Sequence, residues 1–274
     1  MKKLGLMMLV AGIILMAGCA GDDPAGPGGT LADVEGVAIS SASDGQNIAL
    51  TWTAIADVDG YKVWFRATST GTYAEVDDVT TNASTVTATS AGYYVVTAYK
   101  GSDSSANNST AVTTMPSDVT VTYTIYDRWC PADKHSGFIF GETSGQTGLA
   151  SQTSFLQDIY AWDYDTDGDT VVYLTSGGWG TYGNGSDSWM HEATNASFVE
   201  VRTAANSGSG GPWYSQDYML YTADTRTYIS LSSGHYVKMY DLSIVASSET
   251  PRGTEVSFSY EYQLLEGVTV FSSK

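Results

Sequence analysis

Asp163, Asp165, Asp167 and Asp169 fall within seven residues, separated by Tyr164, Thr166 and Gly168. Hard oxygen ligands spaced in this way can converge on Ca²⁺, and the glycine permits the sharp turn that wraps them around the ion. The twelfth position counted from Asp163 is Leu174, where calcium loops of this kind carry a bidentate Glu. The same residues also read as a β-hairpin with Asp167-Gly168 at its tip, joining strands at Trp162 and Val171. Both readings stand at this level.

Other chemistry-bearing residues are sparse. Histidine occurs only at 135, 191 and 235, so an acyl-transfer enzyme would have few bases. No Ser sits in a Gly-x-Ser-x-Gly turn, and no glycine-rich phosphate loop opens a helix. Cys130 and His135 are close in sequence, but no third group is placed to orient the base. Aromatics in glycine-rich turns are more informative. Trp179 lies in Ser176-Gly177-Gly178-Trp179-Gly180 and Trp213 in Gly210-Gly211-Pro212-Trp213-Tyr214. Rings offered by loops can stack on a sugar or another flat ligand; the opposing reading is that they close the ends of a sandwich.

The elements that must position these residues are strands. From residue 31 onward, apolar and polar residues alternate between clusters of Gly, Asn, Asp and Ser, and no stretch sustains a helical period. The expected fold class is all-β: a sandwich over 31–115, then a second antiparallel sandwich or barrel-like domain over 117–274, divided near Pro116. Residues 31–115 read as seven short strands. Ile48, Leu50 and Trp52 turn one face inward, as do Tyr61, Val63 and Phe65, and later Tyr94, Val96 and Ala98. Trp52, continuing an inward alternation, reads as core. Further strands are expected at 119–126, 138–140, 158–164, 171–174, 198–201, 228–231, 236–242 and 256–264, the last with Val256, Phe258, Tyr260 and Tyr262 on one face.

Two resemblances attach to this pattern. The Trp of the second strand, Asp59-Gly60-Tyr61-Lys62-Val63, and Tyr93-Tyr94-Val95-Val96-Thr97-Ala98-Tyr99 before a Gly/Ser turn together resemble a fibronectin type III domain. That implies two antiparallel sheets without a disulfide, in a spacer or protein-binding module. Asp158-Ile159-Tyr160-Ala161-Trp162, Tyr228-Ile229-Ser230-Leu231 with Gly234-His235-Tyr236-Val237-Lys238-Met239, and Val256 to Gln263 resemble the C-terminal pattern of the HmuY-type lipoproteins. The resemblance implies a lipid-anchored surface protein that captures haem between axial side chains, commonly two histidines. This chain departs from that pattern, having no histidine over 158–174; Met190 and His191 are the nearest residues with suitable ligand atoms. His235, in strand-like sequence, reads as structural.

The leader supplies an address. Lys2 and Lys3 precede the apolar run 4–16, which is shorter than the roughly 20 residues of a spanning helix. Leu15-Met16-Ala17-Gly18-Cys19 resembles the lipobox of bacterial lipoproteins, which implies cleavage after Gly18 and acylation of Cys19. Two or three acyl chains anchor stably where one is marginal. Ala20, where an Asp would retain the protein at the inner membrane, favours the outer membrane by resemblance to enterobacterial sorting. Residues 19–30 read as a flexible acidic tether. Loss of Lys2 and Lys3 with the leader lowers the 12 basic side chains to 10 against 30 acidic ones, a net charge of −20 over 256 residues. Such a surface repels nucleic acid. With Cys19 acylated, Cys130 has no partner for an intramolecular disulfide. The expectation is therefore a non-enzymatic outer-membrane lipoprotein requiring no cofactor, periplasmic or surface-exposed. Its distal domain would bind an extracellular ligand, haem being one candidate, or contact a glycan or protein through aromatic loops.

Overall fold

The computed structural model describes residues 31–128, 130–131, 133–152, 154–162, 172–178, 226–248 and 253–272, and the backbone of two further strands, Ser188–Glu192 and Asp217–Leu220. Every regular element among them is a strand. The first eight are β1 (Ala38–Ile39), β2 (Asn47–Thr51), β3 (Gly60–Arg66), β4 (Ala74–Val79), β5 (Ala83–Thr87), β6 (Tyr93–Lys100), β7 (Asp103–Ser104) and β8 (Val112–Thr113). One sheet has the order β1-β2-β5 and the other β4-β3-β6-β7, with β8 also pairing β6. Pairing is antiparallel throughout.

The period-2 alternation decides which side chains meet between these sheets. Ile48 and Leu50 of β2 face Tyr61 and Val63 of β3 and Tyr94, Val96 and Ala98 of β6 across one buried cluster. Trp52 is 4% exposed and packs edge-on against Tyr61 at 5.3 Å, so it is a core residue as expected. Where seven strands were expected there are eight, because the two-residue pieces β1, β7 and β8 lie outside the strong alternations.

The second half contains β9 (Ser117–Tyr126), β10 (Gly137–Ile139), β11 (Gln146–Gly148), β12 (Ile159–Trp162), β13 (Val172–Ser176), β14 (Ser188–Glu192), β15 (Asp217–Leu220), β16 (Arg226–Leu231), β17 (Tyr236–Ala246) and β18 (Thr254–Tyr262). They form two five-stranded antiparallel sheets, β11-β10-β12-β13-β15 and β14-β16-β17-β18-β9. One apolar cluster joins them: Phe138, Ile159 and Leu174 from the first meet Ile229, Val237 and Phe258 from the second. The expected second antiparallel sandwich is thus present. Phe138 is its aromatic centre, 4.9 Å from Tyr123 and Phe140 and 5.0 Å from Phe258, and each such ring pair contributes about 0.5–1.5 kcal/mol beyond its burial. The Tyr260 hydroxyl crosses between the sheets to donate to the Gly141 carbonyl at 2.8 Å. Of the strands expected from the pattern, 198–201 lies outside the described residues, while β11, β14 and β15 were not anticipated.

The main departure from the expected organisation concerns the stretch after β18, assigned by its position to the second domain. Val268 and Val270 are buried in the core of the first sandwich. Gly45 N donates to the Gly267 carbonyl at 2.7 Å, and Thr269 N returns a bond to the Gly45 carbonyl at 2.9 Å, as a short parallel bridge. Gly267 starts this strap at φ +75°, a conformation in which other L-residues are strained. By the same alternation Phe271 turns the other way, 5.8 Å from Tyr228 of β16. The strap therefore enters the first core and covers the face of the β16–β17–β18 sheet that points away from the second.

Under the strap lie groups that a strand pattern would place in solvent. Lys238 of β17 and Glu261 of β18 are register partners, 0% and 1% exposed, with Nζ and Oε2 2.7 Å apart. Lys238 Nζ also donates to the Ser272 carbonyl at 3.0 Å, and the Ser272 hydroxyl donates to Glu261. Gln263 is fully buried beside them; its Nε2 donates to Thr114 O at 3.1 Å and Val270 O at 2.6 Å, tying the end of the first sandwich to the strap. A buried pair is costly to break because the orphaned charge stays desolvated. Lys238→Met should cost about 3–5 kcal/mol, and Lys238→Met with Glu261→Leu should recover most of that loss. Urea unfolding midpoints of the two variants against the parent measure the difference.

Asp158, immediately before β12, gives a second expectation. Its carboxylate accepts the Phe140 N–H at 2.9 Å. Burial nevertheless dominates and pushes its pKa up to about 6, the Phe140 bond opposing the shift. An unfolded aspartate titrates near 3.9, so between roughly pH 4 and pH 6 the native chain holds a proton that the unfolded chain has released. This group's stabilising contribution is therefore full below about pH 4 and is lost as pH rises through about 6. Asp158→Asn, which keeps the acceptor, should flatten that interval of the stability profile by about 2 kcal/mol, read from unfolding midpoints at pH 4.5 and 7.

Candidate ligand-binding cleft

The five-stranded sheet of the first sandwich has a second, solvent-facing side. Since Tyr61 and Val63 point inward on β3, Lys62 and Trp64 must point outward; on β6 the same rule sends Thr97 and Tyr99 to that face. The register aligns Asp78, Lys62 and Thr97 as one row across β4, β3 and β6. Tyr99 is the register partner of Gly60, and a side chain at Gly60 would collide with the Tyr99 ring and the Val79 carbonyl. The glycine thus lets the Tyr99 ring lie flat across β3 and reach Asp78 on the far strand. The β6–β7 turn at 101–103 rises beside these rings, held by Gly101 N donating to Asp59 Oδ2 at 2.7 Å. Together they enclose an open cleft of about 520 Å³.

Every large group in the cleft is held by a neighbour. Trp64 Nε1 donates to Thr97 Oγ1 at 3.0 Å, which fixes the indole plane. Lys62 Nζ donates to Glu75 Oε2 at 2.7 Å and lies 6.0 Å from the centroids of both Trp64 and Tyr99, at the outer range of a cation–π contact. The Glu75 bond, aided by nearby negative charge, raises the Lys62 pKa above its ordinary value. Tyr99 OH donates to Asp78 Oδ1 at 2.9 Å, and that bond is the first cause of a raised phenol pKa. Ser104 Oγ is buried at the cleft wall with no hydrogen-bond partner among the described residues. The cleft thus offers two oriented ring faces, a compensated cation, a carboxylate and hydroxyl groups. It can stack on a ligand and bond to its edge.

The residues singled out from sequence fall elsewhere. Met190 and His191 lie on β14, the edge strand of its sheet, in register with Ile229 and Tyr228. Cys19, Trp179, Trp213 and the carboxylates Asp163, Asp165, Asp167 and Asp169 lie outside the described residues. Among the described residues, no three His, Cys, Asp or Glu side chains converge as a metal site. His235 Nδ1 is bonded to the Gln263 carbonyl at 2.9 Å, with its ring 5.3 Å from Tyr262, a structural setting. His135 Nδ1 pairs with Thr147 Oγ1 at 2.8 Å, and Cys130 is buried. The missed residues, Trp64 and Tyr99, did carry a signal: each is a large aromatic at an outward position of a strand whose inward positions are already filled by apolar residues.

The fold defines an all-β protein built of antiparallel sandwiches. No protein-family profile matches the chain, and no curated protein matches it. Among solved structures it is similar to one described as titin kinase and its flanking domains, at 10% identity and a TM-score of 0.30, over 85% of this chain and 38% of that one.

The Tyr99–Asp78 bond is open to a direct check. With Asp78→Asn the negative charge opposing phenol ionisation is removed, so the Tyr99 ring resonances should titrate at lower pH than in the parent. NMR of tyrosine-labelled protein through the alkaline range measures the shift.

Proposed function

We propose that this chain is a non-enzymatic outer-membrane lipoprotein, anchored through Cys19, that binds an extracellular ligand in the cleft between Trp64 and Tyr99. The observation that carries binding over catalysis is the state of the cleft's polar groups. Lys62 is held by Glu75, Tyr99 by Asp78 and Trp64 by Thr97, so these groups orient ring faces instead of activating a nucleophile. Such mutual bonding prepares a binding surface in advance, and less ordering cost then falls on the ligand's arrival. The leader supports the anchor, and the net charge of −20 on the processed chain speaks against nucleic acid as the partner.

Sequence order fits this arrangement. The acidic tether 19–30 immediately precedes, in sequence, the sandwich that carries the cleft, so few residues separate that domain from the proposed anchor. The anchor is testable by growing cells with an alkyne-tagged fatty acid. The parent should take up label and pellet with membranes, while Cys19→Ala should do neither. An unlabelled, soluble parent would sink the lipoprotein reading.

A further inference from the structure

We infer that the Trp64–Tyr99 cleft is a subsite for neutral saccharides. The inference rests on the proposed reading of the chain as a ligand-binding protein and names the class of ligand. Sugar rings present a face of C–H groups and an edge of hydroxyls, and the cleft offers the complement of both. Trp64 and Tyr99 supply ring faces locked in place by Thr97 and Asp78. The polar groups beside them supply an acceptor in the exposed Asp78 carboxylate and a donor in the Lys62 ammonium. Small-ligand pockets span roughly 300–1,000 Å³. At about 520 Å³ this cleft falls inside that range.

Charge narrows the class. Lys62 is neutralised by Glu75, and Asp78 and Asp103 remain at the rim, so the local field is negative within a strongly acidic chain. Sulfated, phosphorylated or carboxylated glycans would meet repulsion there. A cationic ligand would compete with Lys62 for the same two ring faces, at 6.0 Å from each. A neutral ring carrying hydroxyls meets no charge repulsion of either sign, and although Lys62 borders the same ring faces its ammonium can donate to the ring's hydroxyls. Weak binding by one open cleft is compatible with function on a membrane, where many anchored copies can engage one polymer and avidity exceeds single-site affinity.

The test uses the full processed chain on an array of neutral and anionic glycans, followed by calorimetry on the strongest neutral binder. Neutral glycans should be bound with little dependence on salt. Trp64→Ala and Tyr99→Ala should each weaken binding at least tenfold, on the scale of one lost ring contact, while Trp64→Phe retains most of it. Ser102→Trp, at the exposed turn, should block the cleft without removing a core contact, which keeps the test valid if Trp64→Ala fails to fold. Binding confined to anionic glycans, or neutral binding that survives both Tyr99→Ala and Ser102→Trp, overturns the inference. Binding of a peptide or haem, and no glycan, that is lost with Ser102→Trp would overturn the saccharide class alone; loss of lipid labelling would instead strike the reading beneath it.

Discussion

The two sandwiches are joined by a constraint that neither supplies alone: a charged pair must be kept out of water. Lys238 and Glu261 stand opposite one another on β17 and β18, on the side of the sheet facing away from the second core. Left open, that side would be an ordinary wet sheet face with a rim-type ion pair contributing little. The strap covers it, and the cover is specific because Ser272 bonds both charges and Phe271 lies 5.8 Å from the ammonium. Once ordered there, the strap's alternation leaves Val268 and Val270 to enter the first core. Burial in one sandwich thus completes the other.

That coupling explains which parts of the fold could be read from sequence. Alternation in β2, β3, β6 and β18 was legible because each strand has a continuous apolar face, and the inward residues of all four are buried except Phe65 of β3, which is half-buried against the same cluster. The polar positions of β18 were misleading for the same reason. Ser259 and Glu261 look solvent-facing by period, yet both are buried, Glu261 because a segment close in sequence folds back over it. Val268 and Val270 alternate visibly, but nothing in a linear pattern says that their core partners are Ile48, Leu50 and Val63, some two hundred residues earlier. β11 was hidden because Gln146, Thr147 and Gly148 carry no apolar signal; its place is set by pairing with β10.

Site residues follow a related logic. Attention to loops favoured Trp179 and Trp213 because aromatics in glycine-rich turns have no obvious core. Trp64 sits inside a strand, where the usual inference for a large aromatic is burial, and its outward register was the only clue. The polar partners were less legible still. Asp78 reaches Tyr99 only because Gly60 leaves room for the ring to cross the intervening strand. That is a three-strand relation, invisible until the register is known.

A cleft built on a sheet also differs in kind from one built on loops. Loops tolerate change and adapt, but ordering them costs free energy when a ligand binds. Here the rings stand on β3 and β6, whose opposite faces are packed into the first core, so their spacing is set by main-chain pairing and by side chains such as Val63 and Val96. Because the strap contributes to that same core, the order of the binding face depends in part on the buried pair in the other sandwich. A mutation that opened the pair would be felt first as lost stability and only secondarily as lost affinity. Substitutions at Trp64 or Tyr99 would show the reverse order, since those side chains contact the cleft and not the core cluster.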